Sequence, residues 1–174
     1  MTYYINEKKF AKNKNLQETY DDIVRYLNKT SSIIVENAET PLEKKEIMEI
    51  LETQENPSFV TRLIVDHEKE VLHNVQQFSK DLLIKIEKLN LKSNEDILST
   101  FSELSATLLE LSNVDNYFNI NKIIKAEIEL SVKQAEQKIL ESDYPSILDI
   151  IELIYSDWIE EFIEELEIRK ETNQ

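Results

Sequence analysis

Apolar and polar positions alternate at the start of the chain. In TYYINEKKF, Tyr3 and Ile5 share one face of an extended segment and Tyr4 takes the other. Asn6-Glu7 suits a tight turn, because asparagine tolerates positive φ. The pattern predicts a strand or hairpin over residues 2–10. The period then lengthens. In LQETYDDIVRYLN, Leu16, Tyr20, Ile23, Val24 and Leu27 recur at helical spacing behind Asn15, a good cap. SSIIVEN is short, β-branched and apolar, and predicts a strand. TPLEKKEIMEILE has the residues of a capping box, with Thr40 as N-cap, Pro41 at N1 and Glu43 reaching back from N3. Its helix should end near Glu52, before Asn56-Pro57 breaks the chain. SFVTRLIVD suits a strand by composition, although it also fits the start of the next helix; strand is the preferred reading.

From Asp66 onward the period is helical throughout. The first long segment aligns Val71, Leu72, Val75, Phe78, Leu82, Leu83, Ile86 and Leu89. The second, capped by Ser93 or Asn94, aligns Ile97, Phe101, Leu104, Leu108 and Leu111. A third aligns Ile124, Ile128, Val132, Ala135 and Ile139. The fourth starts at Asp143, with Pro145 in its first turn. Short connections between amphipathic helices imply antiparallel neighbours. The expected fold is therefore α+β and mostly α: a small strand–helix–strand unit with one extra helix over residues 1–66, then an antiparallel four-helix bundle over 67–174.

Taken in order, YYINEKKF, LQETYDDIVRYL, SSIIVEN, VTRLIVD and four helices ending in ILESDYPSILDIIELIYSDWIEEF resemble a family of uncharacterised proteins from Gram-positive bacteria. The resemblance spans most of the chain. It implies a small α/β N-terminal part, a helical C-terminal part and a bacterial cytoplasmic setting, and it carries no activity with it.

Composition narrows the chemistry. The 174 residues include no glycine, where average usage would give about 12. A P-loop, a Rossmann fingerprint and a nucleophile elbow each need glycine where the backbone turns sharply or approaches a phosphate. There is no cysteine, hence no disulfide, thiolate metal site or cysteine nucleophile. The N-terminus lacks the apolar stretch of a signal peptide, and no run is long enough to span a bilayer. A cytoplasmic setting is the simplest expectation.

Net charge is −15, and it is unevenly spread: −3 over residues 1–56, −3 over 57–113 and −9 over 114–174. Such a field repels nucleic acid and anionic membrane and favours a basic partner or a cation. A cation site finds little support in the side chains. Glu70 and His73 have the Glu-x-x-His spacing of di-iron bundles, but the only other histidine, His67, offers no second pair. Glu160, Glu161 and Glu164 resemble the Glu-Glu-x-x-Glu of helical nucleotide pyrophosphohydrolases, whose oxygen ligands hold Mg²⁺. The Glu-x-x-Asp that should follow is missing, and Glu18–Asp21, which has that spacing, lies far upstream. No cofactor is expected.

The last helix is the most informative segment. Residues 143–167 hold nine carboxylates and no lysine or arginine. Ile147, Ile151, Ile154, Trp158 and Phe162 follow helical spacing, and Leu148, Tyr155, Ile159, Ile163 and Leu166 widen the band. Burial stabilises by roughly 1.5–3 kcal/mol per such side chain, so structure alone can justify the apolar band. The carboxylates are less easily explained. Asp157, Glu160, Glu161 and Glu164 repel one another by a few tenths of a kcal/mol per pair and oppose the helix dipole. Two readings stay open. The acid keeps the protein soluble and Trp158 is core, or the stripe, edged by Tyr155 and Trp158, docks a basic or amphipathic helical protein partner. The resulting expectation is a non-catalytic adaptor or export-chaperone-like module. A carboxylate-based metal-dependent hydrolase is the alternative, and a self-associating homodimer through the wide apolar face is the third.

Overall fold

The computed structural model describes residues 2–37, 40–91 and 93–172. The opening alternation folds as a hairpin of β1 (Thr2–Ile5) and β2 (Lys8–Ala11), paired antiparallel from Thr2↔Ala11 to Ile5↔Lys8. Helix α1 (Leu16–Thr30) follows, capped by the Asn15 side chain on Gln17 N–H at 2.9 Å. Then come β3 (Ser32–Glu36), β4 (Thr40–Pro41), α2 (Lys44–Thr53) and β5 (Ser58–Leu63). β5 runs parallel to β1 and antiparallel to β3, giving a five-stranded sheet in the order β2-β1-β5-β3-β4. Alternate strand residues Tyr3, Ile5, Ile34 and Phe59 share one core with Ile23 of α1 and Ile47 and Leu51 of α2. Phe10 extends it, stacking on Tyr3 with ring centroids 5.2 Å apart.

Turns without glycine fall on asparagine and serine. Positive φ occurs at Asn6, Ser31, Asn37, Asn119, Asn121 and Ser142, and also at Glu7. Asn6 both turns and anchors. Its amide nitrogen donates to Thr61 Oγ1 at 2.6 Å and its amide oxygen accepts from Thr61 N–H at 2.9 Å, tying the hairpin to β5. Glu7 has φ 67° with a Cβ that crowds its carbonyl. Glu7→Gly is expected to stabilise by about 0.5–1 kcal/mol, read as a higher denaturant midpoint at unchanged slope. A lowered midpoint would mean the Glu7 conformation carries no strain.

The predicted Thr40 capping box does not form. Thr40 and Pro41 pair with Glu36 and Val35, and Leu42 N–H donates to Ile34 O at 3.0 Å. The backbone is therefore held extended through residue 42, and sheet pairing overrides the local cap. Glu43 becomes the N-cap, with its N–H donating to the Glu46 carboxylate at 2.8 Å.

Helix α3 (Ile64–Glu87) begins directly after β5, so the ambiguous segment is strand to Leu63 and helix from Ile64. α4 (Asn94–Phe118), α5 (Lys125–Leu140), α6 (Tyr144–Asp149), a π-helical turn (Ile150–Tyr155) and α7 (Ser156–Thr172) complete the described chain. The chain divides into two compact units, Met1–His73 and Asn74–Gln174, and the boundary falls within α3. The architecture is α+β and predominantly helical. In the second unit α4 packs against α5 and α6, and α5 against α6.

Two buried stripes differ from their sequence expectation. On α3, Gln76, Ser79, Leu82 and Ile86 are buried while Phe78 is 48% exposed. On α5, Ile128 and Ala135 are buried as expected, but Ser131 joins them, whereas Ile139 and the N-cap Ile124 are about 40% exposed. Turning Ser131 inward makes room beside α5 for a large ring from the last helix. Ile120 and Ile123, in the preceding connection, supply the buried apolar bulk instead.

Candidate functional site: the exposed face of the last helix

Asp143 starts this region as expected. Its carboxylate accepts from Ser146 Oγ at 2.6 Å and from Ser146 N–H at 3.3 Å, and Lys138 lies 3.0 Å away. The Ser146 hydrogen bond, then Lys138, hold its carboxyl below the usual aspartate value. Beyond Pro145, the fully buried residues are Ile147, Ile151, Tyr155 and Ile159, each four after the last, followed by Phe162 three further on. Four residues of α-helix overshoot a full turn by about 40°, so this spacing drifts around a regular helix. The π turn over Ile150–Tyr155 takes up that drift and keeps the four side chains facing inward.

Tyr155 is the ring for which α5 makes room. It is completely buried, stacked on Phe101 with centroids 5.6 Å apart, and its hydroxyl lies 2.8 Å from both Ser105 Oγ and Ser131 Oγ. Burial raises its pKa above the ordinary tyrosine value, with the two serine hydroxyls pulling the other way. The sequence placed Tyr155 at the edge of the acidic stripe. Its position is interior, because the hydroxyl finds both partners inside the helical unit. Trp158 is half-buried against Tyr155, at a centroid distance of 5.6 Å.

Asp157, Glu160, Glu161 and Glu164 are all exposed. Some carboxylates of α7 are paired: Glu161 with Lys122 at 3.2 Å, Glu165 with Arg169 at 3.2 Å and Glu167 with Lys80 at 2.6 Å. Among the described residues, Asp157, Glu160 and Glu164 have no ion pair. Their spacing of three and four residues puts them on one stripe. One turn earlier, Leu153 is 60% exposed and Ile154 37%. Ile154 belonged to the expected apolar stripe and Leu153 was not singled out. The four-residue spacing of Ile147, Ile151, Tyr155 and Ile159 was the signal that would have moved both outward.

The other candidate groups lie elsewhere. Glu70 is ion-paired with Arg62. Among the described residues, no group of three or more His, Asp or Glu side chains is placed to hold a metal ion. No described helix is long and apolar enough to cross a membrane. A cleft of about 360 Å³ opens at the α4–α5 connection, lined by Ser112, Asp115, Asn121, Ile123 and Lys125 among others. Its acid is already engaged by backbone: Asp115 accepts N–H groups from Asn121 and Lys122 at 2.8 Å and from Ile123 at 2.7 Å.

Comparisons with family models, curated proteins and solved structures find no match. The distinctive feature of the surface is an apolar pair leading into an acidic stripe on α7, Asp157, Glu160 and Glu164, without ion pairs among the described residues.

Proposed function

We propose that this is a non-catalytic cytoplasmic interaction module, of the adaptor or export-chaperone kind, that binds a basic polypeptide through the exposed face of α7. In this reading α3, α4, α5 and α6–α7 are the members of an antiparallel four-helix bundle that presents the face. The supporting observation is the alignment of Asp157, Glu160 and Glu164, exposed and without ion pairs among the described residues. Folding does not require it. Like charges at these spacings are destabilising by a few tenths of a kcal/mol per pair, and acids late in a helix oppose its dipole.

Charge also chooses among partners. Nucleic acid and anionic membrane are repelled by a chain of net charge −15. A second copy docked on this face would bring two acidic stripes together, which disfavours self-association here. A hydrolase built on these carboxylates would need them to converge on one ion, whereas they are spread along an exposed helix.

A labelled synthetic peptide of lysine and leucine, ordered to form an amphipathic helix, tests the reading by fluorescence anisotropy. Wild type is expected to bind it in a salt-dependent manner. The double variant Glu160→Lys, Glu164→Lys should weaken binding roughly tenfold or more while leaving the thermal midpoint unchanged or raised. Equal binding by that variant removes the proposal. In parallel, Mg²⁺ or Mn²⁺ should leave the midpoint unmoved. A rise of several degrees that EDTA reverses would put the hydrolase reading first.

A further inference from the structure

We infer that the π turn serves to hold Leu153 and Ile154 outward as an apolar anchor, so that the partner is an amphipathic helix rather than a merely basic segment. This rests on the docking role proposed for α7 and names the chemistry that role requires.

A regular α-helix would carry the stripe Ile147, Ile151, Ile154, Trp158 and Phe162 inward, and all five are apolar. The structure uses Tyr155 and Ile159 in place of Ile154 and Trp158, and the π turn is the extra residue that makes the change. Carboxylates lock this register. Sliding α7 back by one residue would put Glu161 and Glu165 where Phe162 and Leu166 are buried. Sliding α6 forward by one would put Glu152 where Ile151 is buried. Either slip buries charge without a partner.

The turn is not needed to fill the interior. Removing Leu153 would space Ile147, Ile151, Tyr155 and Ile159 by four, three and four, a regular α-helical stripe with every buried residue keeping its neighbours. What the extra residue adds is exposure. Leu153 is 60% and Ile154 37% accessible, in the turn that leads into Asp157. π turns inside α-helices are frequent at functional sites. An apolar pair followed by acids at three- and four-residue spacing complements a helix with leucines at one end of its contact face and lysines or arginines along the rest. A second copy of this face offers the apolar residues but the wrong charge.

The experiment compares the ordered lysine–leucine peptide with a scrambled peptide of the same composition, on four proteins: wild type, a Leu153 deletion, Leu153→Ser with Ile154→Ser, and Glu160→Lys with Glu164→Lys. Wild type should prefer the ordered peptide roughly tenfold or more. The deletion, which loses Leu153 but keeps Ile154, should fold with a thermal midpoint at or above wild type and lose part of that preference. The double serine variant, which keeps the chain length, should bind both peptides alike, at the scrambled level, and decides the matter if the deletion does not fold. Ordered-peptide preference surviving in the serine variant, while the charge reversal still loses binding, overturns the anchor and leaves the acidic docking face standing. Binding untouched by charge reversal overturns both. A wild-type dimer in light scattering that the serine variant converts to monomer assigns the anchor to a second copy and overturns the inference.

Discussion

Asp115→Ala is expected to lower the thermal midpoint by about 6–20 °C, a loss of about 3–5 kcal/mol. Asp115 sits in the last turns of α4 with 3% of its surface exposed. Its Oδ1 accepts from Asn121 N–H, and its Oδ2 accepts from the N–H groups of Lys122 and Ile123. Its backbone carbonyl also accepts from Ile120 N–H at 2.9 Å. One residue thus folds the connection that delivers Ile120 and Ile123 to the interior and starts α5. Without the carboxylate, three backbone donors lose a charged acceptor, and each donor left unsatisfied in a buried setting costs about 1–3 kcal/mol. Water entering from the adjoining cleft offsets part of that. Asp115→Asn should fall between, since one side-chain atom becomes a donor facing donors. Denaturant and thermal unfolding followed by circular dichroism read both variants, with exposed Asp157→Asn as a control expected within about 0.5 kcal/mol of wild type. An Asp115→Ala midpoint within a couple of degrees of wild type would refute this account of the connection.

The second large effect belongs to Tyr155, and two substitutions divide it. Tyr155→Ala removes a fully buried ring between Phe101 and Trp158 and should be destabilising by about 3–5 kcal/mol. Tyr155→Phe should cost only about 1 kcal/mol. The small value follows from counting protons. Three hydroxyls, Tyr155, Ser105 and Ser131, share two mutual contacts, and the serines also reach Phe101 O and Ile128 O at 2.7 Å. That makes four contacts for three protons. With phenylalanine, each serine can donate to its own helix carbonyl, and no buried hydroxyl proton is stranded. Unfolding free energies of the two variants should therefore differ severalfold. A Tyr155→Phe loss as large as that of alanine would mean the hydroxyl chain, and not the ring, holds α4, α5 and the π turn together.

These two residues mark the limit of what can be read along the chain. The hairpin, the Asn15 cap, the Ser93 cap on Asp96 N–H and the Asp143 start with Pro145 were legible. Each depends on residues a few positions apart, whose preferences act before any distant contact forms. The buried stripe of α4 was legible for a related reason. Ile97, Phe101, Leu104, Leu108 and Leu111 keep a regular helical period, and all are buried. The Thr40 cap failed where a local preference met a competing partner, since β3 claimed Thr40 and Pro41 for the sheet. The α5 stripe was legible at Ile128 and Ala135 but missed Ser131, because burial there answers to the bulk of Tyr155, which lies 24 residues from Ser131 in sequence.

The candidate site divides along the same line. Composition alone located the acid: of nine carboxylates without a basic residue between 143 and 167, seven are exposed and Asp143 and Glu165 are half-buried beside a cation, because charges do not stay in an apolar interior unpaired. Tertiary structure decided which of them are neutralised, since Lys122 and Lys80 reach Glu161 and Glu167 from distant parts of the chain. It also decided that Tyr155 turns in and that Leu153 and Ile154 turn out, since one extra residue in a helical turn rotates everything after it. Periodicity names the residues able to face a core. Where two stripes are both apolar, as in α6–α7, only packing against α4 and α5, and the charges that each alternative would bury, chooses between them.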